Sequence, residues 1–508
     1  MPASKSSANS LRSEWRSQSF WLAFVLLSLL GAAAVRFCFE RGYITYYGDA
    51  EAHLNIARRI LDSRTPGPEQ IGTVWLPLPH LAILPFAMRD AWWRNGLAGA
   101  IPSVMAYVLA GVFLFAAARR AYRSEPAALA VVLPFALNPN ILYLASTPMT
   151  EPLFLAALAA LLWATLWFRD SQSAAAALAA AAASLAASLT RYEGWFLIPF
   201  VTVYLFLVAK RKWHAALFSL LAALGPAAWL AHNQFYYSNA LEFYNGPYSA
   251  KAIYQRQLAG GMLPYPGDHD WRKAAEYYAA AAKAVCGAVL LGLGAAGAAA
   301  ALLKRVFWPL ALLALPPAFY IWSMHSSGTP VFVPDLYPFS WYNTRYAVAV
   351  VPLAAFAAGA LIGWLPKRAR FAGALAAGLA TISVASICWK ESQVNSEARR
   401  AWTREAAAAL SAYQTGAGIL YSFGDLTGVL REAGIPLREG LHEGNHPAWD
   451  ATIARPDLFL REEWALAFAG DPVATAIQKA ERHGRHYALV KQILVKGAPV
   501  VEIYRLNR

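Results

Sequence analysis

Long apolar runs alternate with short polar segments along most of this chain, and this pattern sets the first expectation for its fold. The runs are about 17–25 residues long, enough for a helix to cross the hydrocarbon core of a bilayer. The predicted membrane spans lie at about 20–39, 97–118, 127–146, 151–168, 174–190, 195–210, 213–231, 279–303, 306–322, 346–364 and 371–389.

The composition also indicates a polytopic membrane protein. Of the 508 residues, 58% are hydrophobic and only 15% are charged, whereas soluble domains carry about 25% charged residues. The net charge of +14 is spread over short loops, so it indicates membrane topology and not a nucleic-acid partner. Cys38, Cys286 and Cys388 lie in or beside apolar runs without metal-ligand spacing, so neither a disulfide framework nor a zinc site is expected.

The short loops give the orientation. With a cytoplasmic N-terminus, the cytoplasmic loops are ARRAYRSE, RDSQS, KRKWH, LKRV and LPKRAR, and each is basic, as the positive-inside rule requires. The apolar segment 75–93 is then a re-entrant or interfacial helix, because a full span there would place RRAYR outside. About 11 transmembrane helices follow. Signal cleavage near Ala34 is the alternative, but the first run suits a retained span.

The larger polar segments then fall on the outer face. Outer loops at 40–96, 232–278 and 323–345 belong to a membrane domain, 1–389, and a charged tail, 390–508, follows. Within the tail, GILYSF, HYALVKQI and PVVEIYRL have the pattern of strands, and GDLTGVLREAG and DPVATAIQKAERHG that of helices. The predicted fold class is an all-α polytopic membrane protein with a small C-terminal α/β domain on the outer face. Substrate gating and structural cover are both open as roles for that domain.

Ionisable residues follow the first apolar run directly, in YYGDAEAHLNIARR at 46–59. In a helix, Asp49 and His53 are one turn apart and share a face, whereas Glu51 points elsewhere. An interfacial amphipathic helix with a solvated polar face would explain the pattern without any chemistry. A catalytic or binding role is the alternative, because the predicted topology places these groups on the outer face beside the membrane.

Further ionisable groups stand at the predicted outer ends of spans. Such groups are costly at membrane depth unless they are paired or face a watery cavity, so several at one depth indicate a shared cavity. Each alone could be an interfacial anchor, and a histidine within an apolar helix is often a satisfied core residue. The candidates are Glu151, Arg191, Glu193, Arg345, Tyr346 and, in the segment 75–93, His80.

The order of these motifs resembles a known family. The stretch YYGDAEAHLNIARRI is followed by the Pro-containing WLPLPHLAILPF, then by STPMTEPLF, and late in the chain by NTRYAVAVVPLAAFAAGAL. Over roughly residues 15–390, these look like membrane glycosyltransferases of the C superfamily (GT-C), of the bacterial kind related to protein O-mannosyltransferases and the aminoarabinose transferase. The order of the motifs and the topology carry the resemblance.

The resemblance implies an inverting enzyme that moves a hexosyl or pentosyl group from a polyprenyl-phosphate carrier to an acceptor hydroxyl, at the outer face of the bacterial cytoplasmic membrane. Asp49 would act as the catalytic base, Glu151 would position substrate or a metal, and Arg345 would bind the lipid phosphate. A glycolipid, a glycan and a protein are all open as acceptors. The further candidates for donor and substrate binding are Glu51, His53, His80, Arg191, Glu193 and Tyr346.

The residue types fit this chemistry without the family. A carboxylate within hydrogen-bond reach can take the proton of an acceptor hydroxyl, and a guanidinium pairs in a bidentate way with a leaving phosphate. Asp49 and Glu51 could instead hold a divalent cation, Mg²⁺ or Mn²⁺, with Glu151 as a further oxygen ligand. No other cofactor is expected.

Two other functions would use similar groups. A transporter or flippase for lipid-linked sugars also needs a charged cavity, but its ionisable groups would lie near the middle of the membrane. A polysaccharide polymerase or ligase shares the substrate class and the face, but usually relies on large outer loops rich in Arg and His. The placement of the charges at one edge favours the glycosyltransferase.

Overall fold

The computed structural model describes residues 17–303 and 305–507. Most of the predicted cytoplasmic N-terminal segment, residues 1–16, lies outside the described residues. The chain divides into two compact units. The helical unit comprises Met1–Arg41, Thr73–Pro79 and Ala100–Glu391, and the α/β unit comprises Gly42–Gly72, His80–Gly99 and Ser392–Arg508.

Helices form most of the described chain. In chain order they are α1 Gln18–Glu40, α2 Gly48–Arg59, α3 Pro77–Ala87, α4 Asp90–Asn95, α5 Leu97–Tyr122, α6 Glu125–Leu137, α7 Pro139–Ala145, α8 Glu151–Ser171, α9 Ala174–Ser188, α10 Glu193–Val208, α11 Trp213–Tyr237, α12 Glu242–Asn245, α13 Ala250–Ala259, α14 Trp271–Cys286, α15 Ala288–Leu303, α16 Phe307–His325, α17 Val350–Ile362, α18 Arg370–Leu379, α19 Ile387–Ala409, α20 Thr427–Ala433, α21 Ala448–Ala454, α22 Pro456–Phe459 and α23 Pro472–Arg482.

Six helical segments of the described chain are long and apolar enough to cross a membrane: α1, α5, α8, α11, α16, and Thr344–Ile362, which joins a 3₁₀ turn to α17. The number rises to 8 if each of two bent pairs is one span, with α6 and α7 meeting at 65° and α14 and α15 at 108°. The chain is therefore a multi-pass membrane protein, as the hydrophobic pattern predicts.

The remaining predicted spans correspond to shorter helices. The spans at 174–190 and 195–210 form α9 and α10, of 15 and 16 residues. At about 1.5 Å per residue such helices are shorter than a hydrocarbon core of about 30 Å. The predicted span 371–389 contains α18, of 10 residues. The count of about 11 spans thus stays a prediction.

The α/β unit contains a five-stranded sheet with the order β2-β1-β3-β5-β4. Its strands are β1 Ile419–Tyr421, β2 Gly440–Leu441, β3 Trp464–Phe468, β4 Tyr487–Ile493 and β5 Val501–Leu506. β1 pairs in parallel with β2 and β3, and β5 pairs antiparallel with β3 and β4. The small C-terminal α/β fold predicted from the sequence is confirmed, although β2 and β3 were not among the predicted strands.

The first loop and the tail share one hydrophobic core. Leu54 of α2, Ile83 of α3 and Trp93 of α4 are buried in the same cluster as Trp402 of α19 and Leu466 of β3. The two compact units therefore do not follow the predicted domain boundaries, 1–389 and 390–508. Most of the predicted first outer loop, 40–96, belongs with the tail because its apolar side chains pack against the tail's sheet.

The predicted orientation can be tested on either side of α11. Arg211 and Gln257 are exposed and flank this span, so cysteines at the two positions should label from opposite sides of the membrane. Cys38, Cys286 and Cys388 are all buried and should give little background. A membrane-impermeant maleimide applied to spheroplasts should modify Gln257→Cys, and applied to inverted vesicles it should modify Arg211→Cys. Labelling of both from one side would contradict the orientation.

Candidate functional site

Five of the predicted site residues come together in the helical unit. Glu151 begins α8 and is followed by a proline at the first turn, and Glu193 begins α10. Carboxylates are favourable at these helix N-termini because the helix dipole is positive there. Arg191 lies just before α10, and Arg345 and Tyr346 lie in the 3₁₀ turn Thr344–Ala349 that precedes α17. We call these residues, together with Glu391 of α19, the arginine–glutamate cluster.

Arg191 is bound on all sides of its guanidinium. Its Nε donates to Glu193 Oε1 at 2.7 Å, and its Nη1 donates to Thr150 Oγ1 at 2.6 Å and to Glu151 Oε1 at 3.0 Å. Its Nη2 donates to the hydroxyl of Tyr320 at 2.9 Å, and Tyr320 is itself hydrogen-bonded to Glu193. This network fixes the guanidinium between two helix N-termini.

Arg345 shares a carboxylate with Arg191. Its Nε lies 3.2 Å from Glu151 Oε1, the same oxygen that Arg191 contacts, and its Nη1 lies 3.4 Å from Glu391 Oε1. The other oxygen of Glu151, Oε2, is buried and accepts no hydrogen bond from the described residues. A single carboxylate oxygen therefore joins the two guanidinium groups.

Glu391 supports the turn that carries Arg345. Its carboxylate accepts hydrogen bonds from the backbone N–H groups of Asn343, at 3.0 Å, and Thr344, at 2.8 Å, and from the Thr344 hydroxyl. Burial raises the pKa of Glu391, against the lowering effects of Arg345 and of these hydrogen bonds. Glu391 is not among the site residues predicted from the sequence, although an acidic residue at the end of the last predicted span is a usable signal.

Aromatic rings complete the cluster. Tyr320 of α16 stacks on Tyr346 with ring centroids 4.6 Å apart and an interplanar angle of 15°. The Cζ atoms of Arg191 and Arg345 lie 5.2 Å and 5.0 Å from the centroid of the Tyr346 ring. Tyr346 therefore contacts both guanidinium groups by cation–π interactions, which makes it part of the cluster, whereas its predicted contact with the donor stays a prediction.

The charge balance shows what this arrangement can do. Two guanidinium groups face the three carboxylates of Glu151, Glu193 and Glu391, and those carboxylates are all buried. The arginines are therefore already paired, and an anionic ligand must replace a carboxylate to bind them. Planar guanidinium groups are suited to that exchange because they bind carboxylate and phosphate with the same bidentate geometry.

The remaining predicted site residues lie in the α/β unit. Asp49 is half-buried in the first turn of α2. Glu51 is buried and is bound by two arginines of the tail: Arg431 Nη2 donates to its Oε1 at 2.6 Å, and Arg399 Nε lies 3.4 Å from its Oε2. Because both oxygens of Glu51 are engaged, its partners favour a positioning role over the predicted contact with donor or metal.

His53 and His80 form a buried pair. His53 Nδ1 lies 2.9 Å from His80 Nε2, a hydrogen-bond distance at which the tautomers decide which nitrogen donates. Their rings are 5.1 Å apart, and two charged imidazoles at this distance would repel each other. His53 also lies one turn after Asp49 on the same face of α2. Donor contact by either histidine stays a prediction.

The predicted metal ligands do not form a metal site. Among residues 17–303 and 305–507, no group of three or more His, Cys, Asp and Glu side chains is arranged to hold a metal ion. The proposed set Asp49, Glu51 and Glu151 is weakened further because the oxygens of Glu51 are bound by Arg399 and Arg431. A divalent cation, Mg²⁺ or Mn²⁺, at these residues stays a prediction, with Glu51 as the least suitable ligand of the set.

Comparison with known proteins gives a match in fold. No family model matches the chain, and no curated protein matches it significantly. The crystal structure of ArnT from Cupriavidus metallidurans bound to undecaprenyl phosphate matches with a TM-score of 0.58 over 96% of this chain and 98% of that chain, at 13% identity. This chain has the fold of ArnT.

The same ArnT in the apo state matches with a TM-score of 0.54 and 12% identity, over 90% of this chain and 92% of that chain. The apo oligosaccharyltransferase of Archaeoglobus fulgidus gives a TM-score of only 0.49 at 11% identity, over 89% of this chain and 70% of that chain. The resemblance to GT-C glycosyltransferases predicted from the motifs is thus confirmed at the level of the fold.

The role of Glu391 in the cluster can be measured. Glu391→Ala should destabilise the protein by about 3 kcal/mol, because it leaves Arg345 without one buried carboxylate and three donors of the Asn343–Thr344 turn without an acceptor. The measurement is thermal unfolding in detergent, and the matched control is Glu397→Ala, an exposed glutamate on the same helix. Equal melting temperatures of the two variants would contradict the supporting role.

Proposed function

We propose that this chain is a glycosyltransferase that moves a sugar from a polyprenyl-phosphate carrier to an acceptor hydroxyl, with inversion at the anomeric carbon. The observation that carries the proposal is the likeness in fold, over nearly the whole of both chains, to an ArnT structure solved with undecaprenyl phosphate. The buried arginine–glutamate cluster supports it independently. In this proposal the enzyme is in the bacterial cytoplasmic membrane, with about 11 spans, a cytoplasmic N-terminus and an extracytoplasmic C-terminal domain.

Asp49 is the general base of the proposed reaction. It takes the proton of the acceptor hydroxyl as the acceptor oxygen forms a bond to the anomeric carbon. The bond between that carbon and the phosphate oxygen breaks, and its electron pair leaves with the polyprenyl phosphate. Asp49 suits this role better than Glu51 because it is only half-buried, whereas Glu51 is held in ion pairs by two arginines.

Arg345 binds the donor phosphate, and Arg191 assists it. Without donor, the carboxylate of Glu151 holds both guanidinium groups, so they are oriented before the substrate arrives. A lipid phosphate takes over part of these contacts and gains charge as it becomes the leaving group, which the guanidinium stabilises. Glu193 and Tyr346 keep Arg191 in place through their direct contacts with it.

The remaining substrate contacts are assigned to residues near Asp49. The His53–His80 pair is one turn from Asp49 on α2, which suits a contact with the sugar or the acceptor. The transferred sugar is a hexose or pentose, and the acceptor is a glycolipid, a glycan or a protein. The assay must distinguish this glycosyltransferase from a flippase and from a polysaccharide polymerase or ligase.

The assay uses detergent, where no two compartments exist. Purified protein supplied with a polyprenyl-phosphate sugar and a crude acceptor extract should release free polyprenyl phosphate and glycosylate the acceptor. A flippase would do neither, and a polymerase would instead lengthen a glycan that stays linked to its lipid. Donor consumption that depends on a soluble nucleotide sugar would contradict the lipid donor.

In the same assay, Asp49→Asn should lower turnover at least about 100-fold, because asparagine keeps the size and hydrogen bonding of the side chain but cannot take the proton. Binding of the lipid donor should be little changed. The matched control is Asp90→Asn, since Asp90 is an exposed aspartate in the first turn of another helix of the same unit, α4. Near-normal turnover of Asp49→Asn would show that another group is the base.

Arg345→Ala should weaken donor binding and slow transfer together, because the phosphate is bound in the ground state and gains charge in the transition state. Arg345→Lys should recover only part, since an ammonium lacks the planar fork. The control is Arg370→Ala, an arginine at the start of α18 that donates to the carbonyl of Leu365. Donor affinity and turnover are measured separately, and unchanged donor affinity in Arg345→Ala would contradict the assignment.

A further inference from the structure

The α/β unit contains a buried ion-pair group that takes part in no step of the proposed reaction. Its members are Glu51 of α2, Arg399 of α19 and Arg431 of α20, and only about a tenth of each side chain is exposed (10%, 11% and 7%). We call it the Glu51 clamp. Two of its three members come from the tail, which the sequence leaves without an assigned function.

The clamp has contacts beyond Glu51. Arg399 Nη2 donates to the backbone carbonyls of Tyr46, at 2.9 Å, and Thr45, at 3.3 Å. Its neighbour Arg400 places its Cζ 3.4 Å from the centroid of the Tyr46 ring. These contacts hold the segment that leads into α2, where no side chain caps the helix.

Arg431 joins Glu51 to the end of α4. Arg431 Nη1 donates to the carbonyl of Arg94 at 2.6 Å, while its Nη2 binds Glu51. Gly428, one turn earlier on α20, lies so close that a Cβ there would clash with Glu51 Oε1. Glu51 is therefore confined by charge and by close packing, and the first turn of α2 is confined with it.

The electrostatics agree with a permanently charged clamp. Burial alone would raise the pKa of Glu51, but the guanidinium groups of Arg431 and Arg399 outweigh it and hold that pKa below its usual value. The pKa of Asp425, in the loop before α20, is raised: desolvation by the surrounding protein raises it against the charge of Arg399, and the charges of Glu51 and Asp49 add to the rise. The tail thus lies within the electrostatic field of Asp49.

We infer that Arg399 and Arg431 are positioning residues, which act through Glu51 to hold the first turn of α2 and so to aim the Asp49 carboxylate. The inference rests on the proposed function, in which Asp49 is the general base. Asp49 is two residues from Glu51 in the same helical turn, and displacement of a base by about 1 Å can lower the rate about 100-fold. The tail is then part of the catalytic apparatus and not merely a cover.

The test measures kcat, donor KM and the stoichiometry of donor binding for Arg431→Met, Arg431→Lys, Glu51→Gln and the double variant Glu51→Gln/Arg431→Met. Arg431→Met should lower kcat about 10- to 100-fold while donor KM and the bound donor per protein stay near wild type. Arg431→Lys should recover part of the loss. Because both changes break one interaction, the double variant should be no slower than the slower single variant.

The control is Arg505→Met, which removes the 2.8 Å ion pair with Glu463 on the tail's sheet and leaves α2 untouched. Its kcat should match wild type. Normal turnover of Arg431→Met would overturn the inference. So would a loss of rate that parallels a loss of donor-binding protein, or a double variant in which the rate losses of the two single variants multiply. Normal turnover of Asp49→Asn overturns the proposed base and the inference together, whereas an inactive Asp49→Asn beside a fully active Arg431→Met overturns only the clamp.

Discussion

The requirement that buried charges be paired governs both units of this protein. An unpaired ion in a low-dielectric interior costs several kcal/mol, and removing one partner of a buried pair costs about 3–5 kcal/mol. The chain meets this requirement twice, with Arg191 and Arg345 against three glutamates in the helical unit, and with Arg399 and Arg431 against Glu51 in the α/β unit. In each case the carboxylates begin a helix or immobilise a turn, so the ion pairs also fix the position of the backbone.

The Glu51 clamp and the arginine–glutamate cluster differ in how easily a carboxylate can be replaced. Glu51 is buried and has both oxygens bound by arginines of the tail, so its pairing fixes position. In the arginine–glutamate cluster one oxygen of Glu151 serves both arginines while its other oxygen accepts no hydrogen bond from the described residues. Such a carboxylate is the member most easily replaced, because part of its hydrogen-bonding capacity is already unused.

An element or site residue can be predicted from the sequence when its signal lies within a few neighbouring residues. The helices and the strands β1, β4 and β5 follow from runs and alternation within a few residues, whereas β3, with the sequence WALAF, is apolar on both faces and a pattern cannot separate it from a buried helix segment. Glu151, Arg191 and Arg345 could be found because they end apolar runs. The partners of Glu51 could not, because Arg431 is 380 positions away and in sequence is one basic residue among many in a charged tail.

The pairing of both arginines with carboxylates also bears on selectivity among lipids. An uncharged headgroup offers no replacement for Glu151, so binding it at the guanidinium groups would break buried ion pairs without forming new ones. A phosphate offers charge and acceptor oxygens in the geometry that a guanidinium prefers, so it can take over the contacts that Glu151 releases. In the proposed reaction, pre-pairing would therefore select against neutral lipids by the same interactions that orient the arginines, and Tyr346, stacked on Tyr320, contacts both guanidinium groups.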